Sequence, residues 1–151
     1  KSSQNYKMKK IVIILICLFL TSCTSSSKFS IEKEYYQESK FINVKNEDIE
    51  KLKEEKKSFI VFAYNNYCLL ETPCNEIFKK VMDKYNISFL YLPYEEMKKT
   101  FIYDDVKLAP SVILIKEGKI VTYLNTESND DLPKYQDADE FEKWLTSYIN
   151  T

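Results

Sequence analysis

Two cysteines, Cys68 and Cys74, are the residues of this chain that are best placed for chemistry. They lie between an apolar run, Phe59–Tyr64, and an amphipathic segment that begins at Cys74, with five residues between them. A strand that leads into a helix could place a dithiol–disulfide exchange site, because unpaired amides and the dipole at a helix N-terminus stabilise a thiolate. Three interpretations are open: a reversible redox pair, a permanent disulfide, or a pair without a redox role.

The first part of the chain has the pattern of a secretory signal. Lys9 and Lys10 precede an apolar stretch, residues 11–20, and a Leu-Thr-Ser-Cys sequence then ends at Cys23. About ten apolar residues are too few for a membrane-spanning helix, which needs roughly 20, but they suit a cleaved signal. The four residues ending at Cys23 resemble the lipobox of bacterial lipoproteins, which implies cleavage before Cys23 and a lipid on its sulfur. The alternative is an ordinary signal peptide with an incidental cysteine.

The residue types exclude several kinds of chemistry. The chain has no histidine, so a nucleophile activated by a Ser-His-Asp or Cys-His arrangement is impossible within it. Cys17 would leave with the signal and Cys23 would carry the lipid. The two remaining thiols are too few for a tetrahedral zinc site, and we predict no metal and no cofactor beyond the cysteine pair itself. Four of the 22 basic residues and none of the 23 acidic ones precede Cys23, so the remaining chain has a net charge of 18 − 23 = −5, which argues against a nucleic-acid partner.

We predict three parts in the chain. Residues 1–22 are the signal peptide and upstream residues, and residues 23–40 are the lipidated cysteine and a polar tether. Residues 41–151 form one folded domain, since an aromatic content of 15% and a single glycine are typical of a packed chain. Export would place that domain outside the cytoplasm, where disulfides persist.

The hydrophobic pattern of the domain predicts the order β-α-β-α-β-α-β-β-α. The continuous apolar run Phe59–Tyr64 suits a central strand that is covered on both faces. Glu117-Gly118 predicts a tight hairpin turn, Asp137 a helix cap, and residues 125–136 a polar loop. The other strands are predicted near residues 41–44, 87–92, 111–115 and 119–124, and the helices near 46–57, 74–85, 94–101 and 138–148.

This order of elements resembles the thioredoxin fold, an α/β fold with a mixed central sheet and flanking helices. Three segments carry the resemblance. Residues 59–81 are a buried strand that runs into a cysteine-bearing loop and helix, Leu108-Ala109-Pro110-Ser111 resembles the cis-proline turn of the family, and residues 115–121 resemble its hairpin. The likeness covers nearly the whole predicted domain.

The resemblance implies roles for both cysteines. Tyr67-Cys68 matches the leading end of the family's W-C-G-P-C sequence and Thr72-Pro73-Cys74 matches its trailing end, so that Cys68 would attack and Cys74 would resolve the mixed disulfide. Three additional residues separate the two halves. The strand also lacks the buried acid that the family often uses as a proton acceptor, and Glu71 and Glu76 would raise a thiol pKa.

The resemblance also implies a surface for a substrate. Pro110 would be a cis proline facing the dithiol, and Ala109 would offer backbone hydrogen bonds to an extended peptide. Tyr67 and Pro73 would form an apolar rim, whereas we assign Tyr64 to the core.

The sequence therefore predicts a lipid-anchored, extracytoplasmic bacterial thiol–disulfide oxidoreductase that acts on thiols or disulfides of exported proteins. The alternative is a non-catalytic thioredoxin-like module that binds a protein partner and contains a structural Cys68–Cys74 disulfide.

Overall fold

The computed structural model of this chain describes residues 27–65 and 73–151. Within these ranges a 3-10 turn, Lys33–Tyr36, precedes the regular elements. No helix in the same ranges is long and apolar enough to cross a bilayer. The strands are β1 (Phe41–Asn43), β2 (Phe59–Tyr64), β3 (Phe89–Pro93), β4 (Ser111–Lys116) and β5 (Lys119–Tyr123), and the helices are α1 (Asn46–Glu54), α2 (Cys74–Tyr85), α3 (Tyr94–Met97), α4 (Ile102–Asp105), α5 (Leu132–Gln136) and α6 (Ala138–Tyr148).

The strands form a mixed sheet in the order β1-β3-β2-β4-β5. β1 and β2 run parallel to β3, whereas β4 runs antiparallel to both β2 and β5. The predicted α/β class is confirmed, with parallel strands from the β-α-β start and an antiparallel edge from the late hairpin. As a consequence, the carboxyl ends of β2 and β3 and the start of β4 lie at one edge of the sheet.

Helices cover the sheet in two groups. In the first group, the ring of Phe78 on α2 lies 5.1 Å from that of Phe62 on β2 and 4.5 Å from that of Phe141 on α6, measured between centroids. In the second group, α1 is joined to α3 by a hydrogen bond from the Asn46 amide to the Glu96 carboxylate. The first group includes the helix that begins at the cysteine.

The stretch predicted as a tether is folded from Phe29 onward. Phe29, Ile31 and Tyr35 belong to the buried core, and Phe29 forms a parallel bridge with Ile149 near the end of the chain. The tether prediction is therefore wrong for this stretch, and the domain begins before residue 41. Most residues of the stretch are polar or charged, so its composition gave no sign that these few apolar residues are buried.

Local signals set the ends of several elements, and those predicted at Asp137 and Glu117-Gly118 are confirmed. Asn86 ends α2 in the left-handed conformation, with φ 55°, and the carboxylate of Asp137 accepts hydrogen bonds from two amides in the first turn of α6. In the β4–β5 turn, Glu117 and Gly118 have φ values of 50° and 75°. A Cβ at Gly118 would lie 2.6 Å from the carbonyl oxygen of Lys53, so this position requires glycine for space as well as for φ.

The connection before α6 differs from the prediction. Residues 125–136 were expected to form a polar loop, but Leu132–Gln136 is the helix α5, with Pro133 in its first turn. Tyr135 on this helix is 1% exposed. The loop prediction is wrong for α5 because a five-residue helix is too short to show a hydrophobic period.

Candidate functional site

Cys74 is the first residue of α2, and its side chain is buried, with 2% exposure. The exposed Pro73 precedes it, and the carbonyl oxygen of Pro73 accepts a hydrogen bond from the Glu76 amide at 2.9 Å. Cys74 therefore lies where the dipole of the helix N-terminus favours a thiolate, while the carboxylate of Glu76 in the same turn opposes one.

Several predicted site residues lie outside the described ranges. These are Tyr67, Cys68 and Glu71 in the loop before α2, and Cys23 in the N-terminal segment. The pairing of Cys68 with Cys74, the rim position of Tyr67 and the lipid on Cys23 thus remain predictions from the sequence.

The peptide bond between Ala109 and Pro110 is cis, as the resemblance implied. The sheet register pairs Ala63 of β2 with Ser111 of β4, which places this turn beside the end of β2. Nδ2 of Asn65, the residue after β2, donates a hydrogen bond to the carbonyl oxygen of Ala109 at 2.8 Å. The strand that leads to the cysteine loop and the cis-proline turn are therefore in direct contact.

A tyrosine stack lies at the same edge of the sheet. The rings of Tyr64 on β2 and Tyr91 on β3 are 3.6 Å apart and nearly parallel, at 6°. Tyr64 is partly buried against the core, in agreement with its assignment there. Burial raises the pKa of Tyr91, and Tyr64 and Cys74 raise it further. The phenol of Tyr91 is thus a neutral group within electrostatic reach of Cys74.

The surroundings of Cys74 on the sheet are apolar. Phe62, on the face of β2 that contacts α2, is 2% exposed and packs edge-on against Phe78. Among residues 27–65 and 73–151, no group of three or more His, Cys, Asp or Glu side chains could hold a metal ion. The described part of the site therefore offers a thiol, backbone groups and tyrosine hydroxyls.

Sequence reasoning did not identify Tyr135 as part of this region. Its hydroxyl lies 2.8 Å from the carbonyl oxygen of Pro110 and 2.9 Å from that of Leu124, as a donor to these acceptors. The ring of Tyr135 is also 5.8 Å from that of Phe78. A lone tyrosine in a polar stretch gives no signal of such a position, because both acceptors are distant in sequence.

The strand order, the helix that begins at a cysteine and the cis-proline turn together define a thioredoxin-like fold. Solved structures that are similar to it include the following two. A candidate oxidoreductase with a thioredoxin fold aligns with a TM-score of 0.51 and 16% sequence identity, over 72% of this chain and 96% of its own. The thioredoxin NaTrxh of Nicotiana alata aligns with a TM-score of 0.50 and 20% identity, over 83% of this chain and 99% of its own.

Sequence comparison adds no closer relation. No protein-family model matches the chain, and no curated protein matches it. At identities of 16% and 20%, the two structural matches establish the fold alone.

Proposed function

We propose that this protein is a thiol–disulfide oxidoreductase that uses Cys68 and Cys74. The observation that carries the proposal is the position of Cys74, buried at the start of α2, on the sheet edge that also holds the cis Ala109–Pro110 turn. In a thioredoxin-like fold, this combination would bring a thiol near a turn that could bind an extended peptide. The fold alone supports many functions, so this site and not the fold carries the proposed activity.

The proposed reaction is two successive exchanges. The Cys68 thiolate attacks one sulfur of a substrate disulfide, which forms a mixed disulfide and releases the first substrate thiolate. The Cys74 thiolate then attacks the Cys68 sulfur, forms the Cys68–Cys74 disulfide and releases the second substrate thiolate. Two electrons pass from the protein dithiol to the substrate, and the same steps run in reverse when the protein oxidises a dithiol. The potential of the pair against its surroundings sets the direction.

The substrate in this proposal is an exposed segment of an exported protein. Such a segment would lie extended beside Ala109, where backbone groups can pair with it. Pro73, which is exposed at the start of α2, and Tyr67 would form the apolar rim. The half-buried Ala109 and Pro110 are accessible enough for this contact.

The location in this proposal rests on the sequence. The signal-like segment and its lipobox would export the protein and attach it to the outer face of the cell membrane through a lipid on Cys23. Replacement of Cys23 by alanine in the full chain should then move the protein from the membrane fraction to the soluble extracellular fraction.

A second candidate is a non-catalytic module that binds a protein partner and keeps a structural Cys68–Cys74 disulfide. The apolar environment favours it: Phe62 occupies the face of β2 beneath α2, where an acid could have accepted a proton, and Cys74 is only 2% exposed. Burial among apolar groups disfavours a thiolate.

A trapping experiment tests the exchange reaction. The probe is a synthetic peptide whose single cysteine forms a mixed disulfide with thionitrobenzoate, so that attack on the peptide sulfur releases a coloured thiolate. We expect Cys74→Ser to release the colour and to retain the peptide on Cys68, as seen by mass spectrometry. Wild-type protein should release the colour and then the peptide thiol.

Cys68→Ser is the matched control and should neither release the colour nor retain the peptide. The proposal would be overturned if reduced Cys74→Ser failed to react, or if the peptide were retained only by Cys74 in Cys68→Ser.

A further inference from the structure

Tyr135 contacts both structural parts of the candidate site. Its hydroxyl lies within hydrogen-bond distance of the carbonyl oxygens of Pro110 and Leu124, at 2.8 and 2.9 Å. Its ring lies 5.8 Å from the ring of Phe78. Phe78 is one helical turn after Cys74 and is fully buried, so Tyr135 connects the cysteine helix to the cis-proline turn.

The two carbonyl oxygens near the Tyr135 hydroxyl differ in whether another side chain also donates to them. The carbonyl oxygen of Leu124 also accepts a hydrogen bond from the Ser111 hydroxyl, at 2.6 Å. Loss of the Tyr135 hydroxyl would therefore leave Leu124 with a side-chain donor, while Pro110 would lose the donor that Tyr135 supplies. The effect of such a loss falls on the cis-proline turn.

We propose that Tyr135 is a positioning residue for peptide substrates, an inference that rests on the proposed exchange function. Its hydroxyl fixes the Ala109–Pro110 turn relative to α2, so that a peptide bound beside Ala109 is held at a constant distance from the cysteine helix. This role needs no contact between Tyr135 and the reacting sulfurs. Tyr135 acts through the turn.

The alternative is that Tyr135 only fills the core beneath α5. The two roles differ in the substrates they affect. Core packing would change the reactivity toward every disulfide equally or toward none, whereas positioning of the turn concerns only substrates that need the turn for binding.

The test compares Tyr135→Phe with wild-type protein on two disulfides that release the same coloured thiolate. One is the peptide–thionitrobenzoate disulfide, and the other is the small symmetrical disulfide of thionitrobenzoate, which has no peptide backbone to bind. Each protein molecule supplies two electrons once, so the assay follows a single turnover of fully reduced protein, and KM here means the peptide concentration that gives half the maximal single-turnover rate. We expect this KM for the peptide to rise about tenfold, while the maximal single-turnover rate and the rate with the small disulfide stay within about twofold of wild type.

Tyr36→Phe is the matched control. Tyr36 lies in the N-terminal segment of the domain, and its hydroxyl also donates to a backbone carbonyl, that of Asn150, at 2.7 Å. This variant should leave both substrates unaffected. A second variant, Pro133→Gly, loosens α5 at an exposed position and should raise the peptide KM in the same selective way, which keeps the test available if Tyr135→Phe does not fold.

The outcomes separate the two proposals. Equal peptide KM values in wild type and in the folded variants, or equal losses on both substrates, would overturn the role of Tyr135 and leave the exchange function standing. A wild-type protein that reacts with neither disulfide would overturn the exchange function, and the positioning role with it.

Discussion

Asn65 donates a hydrogen bond from Nδ2 to the carbonyl oxygen of Ala109, over 2.8 Å. The bond joins the end of β2, from which the chain continues toward Cys68, to the residue before the cis proline. One acceptor position on Ala109 is therefore satisfied from within the protein. Asn65 and Tyr135 together hold two successive carbonyl groups of the turn, from β2 on one side and from α5 on the other.

Removal of this carboxamide should affect both stability and peptide exchange. We expect Asn65→Ala to lower the free energy of unfolding by about 1 kcal/mol, because a partly buried carbonyl loses a donor. Asn65→Asp should cost more, since a carboxylate would face the Ala109 oxygen. Urea denaturation measures both effects, and the peptide–thionitrobenzoate assay should show a slower reaction with each variant.

Asn75→Ala serves as the control for Asn65, because Asn75 is an exposed asparagine in the first turn of α2. It should change the free energy of unfolding by less than about 0.5 kcal/mol. Wild-type stability and peptide reactivity in both Asn65 variants would show that the bond to Ala109 has no role in holding the turn.

Replacement of Phe29 tests the extent of the domain. Phe29 is 6% exposed and its backbone bonds to Tyr148 and Asn150, so it joins the N-terminal segment to the end of α6. We expect Phe29→Ala to lower the free energy of unfolding by about 3 kcal/mol in urea denaturation, through lost burial and the cavity left behind. The neighbouring exposed residue provides the control, and Lys28→Ala should be close to neutral. An equally small effect of Phe29→Ala would mean that the segment acts as a tether.

Ionisation of Tyr35 should destabilise the folded domain at alkaline pH. Burial, with Glu34 as the next contributor, raises the pKa of Tyr35 to about 12 from an ordinary value of 10. The folded state thus retains this proton more strongly than the unfolded chain. Its contribution to stability is complete below about pH 10 and is lost between about pH 10 and 12.

Urea denaturation across this pH range should therefore show a steeper loss of stability in wild type than in Tyr35→Phe. Glu34→Gln should retain the loss but move it to lower pH, because the neighbouring negative charge is removed. Identical pH profiles for wild type and Tyr35→Phe would contradict the assignment to Tyr35.

The fold was predictable where hydrophobic pattern and turn chemistry act locally. The apolar run of β2, the helical spacing of Phe78 and its neighbours on α2, and the positive-φ turn at Gly118 each depend on a few adjacent residues. The positions of Phe29 and Tyr135 were not predictable in this way. Both are stabilised by partners far along the chain, Ile149 for Phe29 and the Pro110 carbonyl for Tyr135, which no local period reveals.

The same distinction between local signals and distant partners applies to the candidate site. The cysteine at the start of α2 and the cis proline follow from the sequence and its resemblance to the thioredoxin fold. The Asn65 and Tyr135 hydrogen bonds depend on how β2, β4 and α5 meet in three dimensions. An asparagine or a tyrosine can serve many roles, so residue type alone did not select these two.

A redox titration of the Cys68–Cys74 pair tests the central claim most directly. The folded domain, including residues 27–40, is equilibrated in buffers of graded thiol–disulfide ratio, and thiols are then alkylated and counted by mass spectrometry. We expect one reversible two-electron transition in which both cysteines change together, within the range of roughly −270 to −120 mV that thioredoxin-fold oxidoreductases span. A disulfide that is reduced only below about −300 mV would indicate a structural bond, and two thiols that never pair would indicate a binding module; either result would contradict the exchange function.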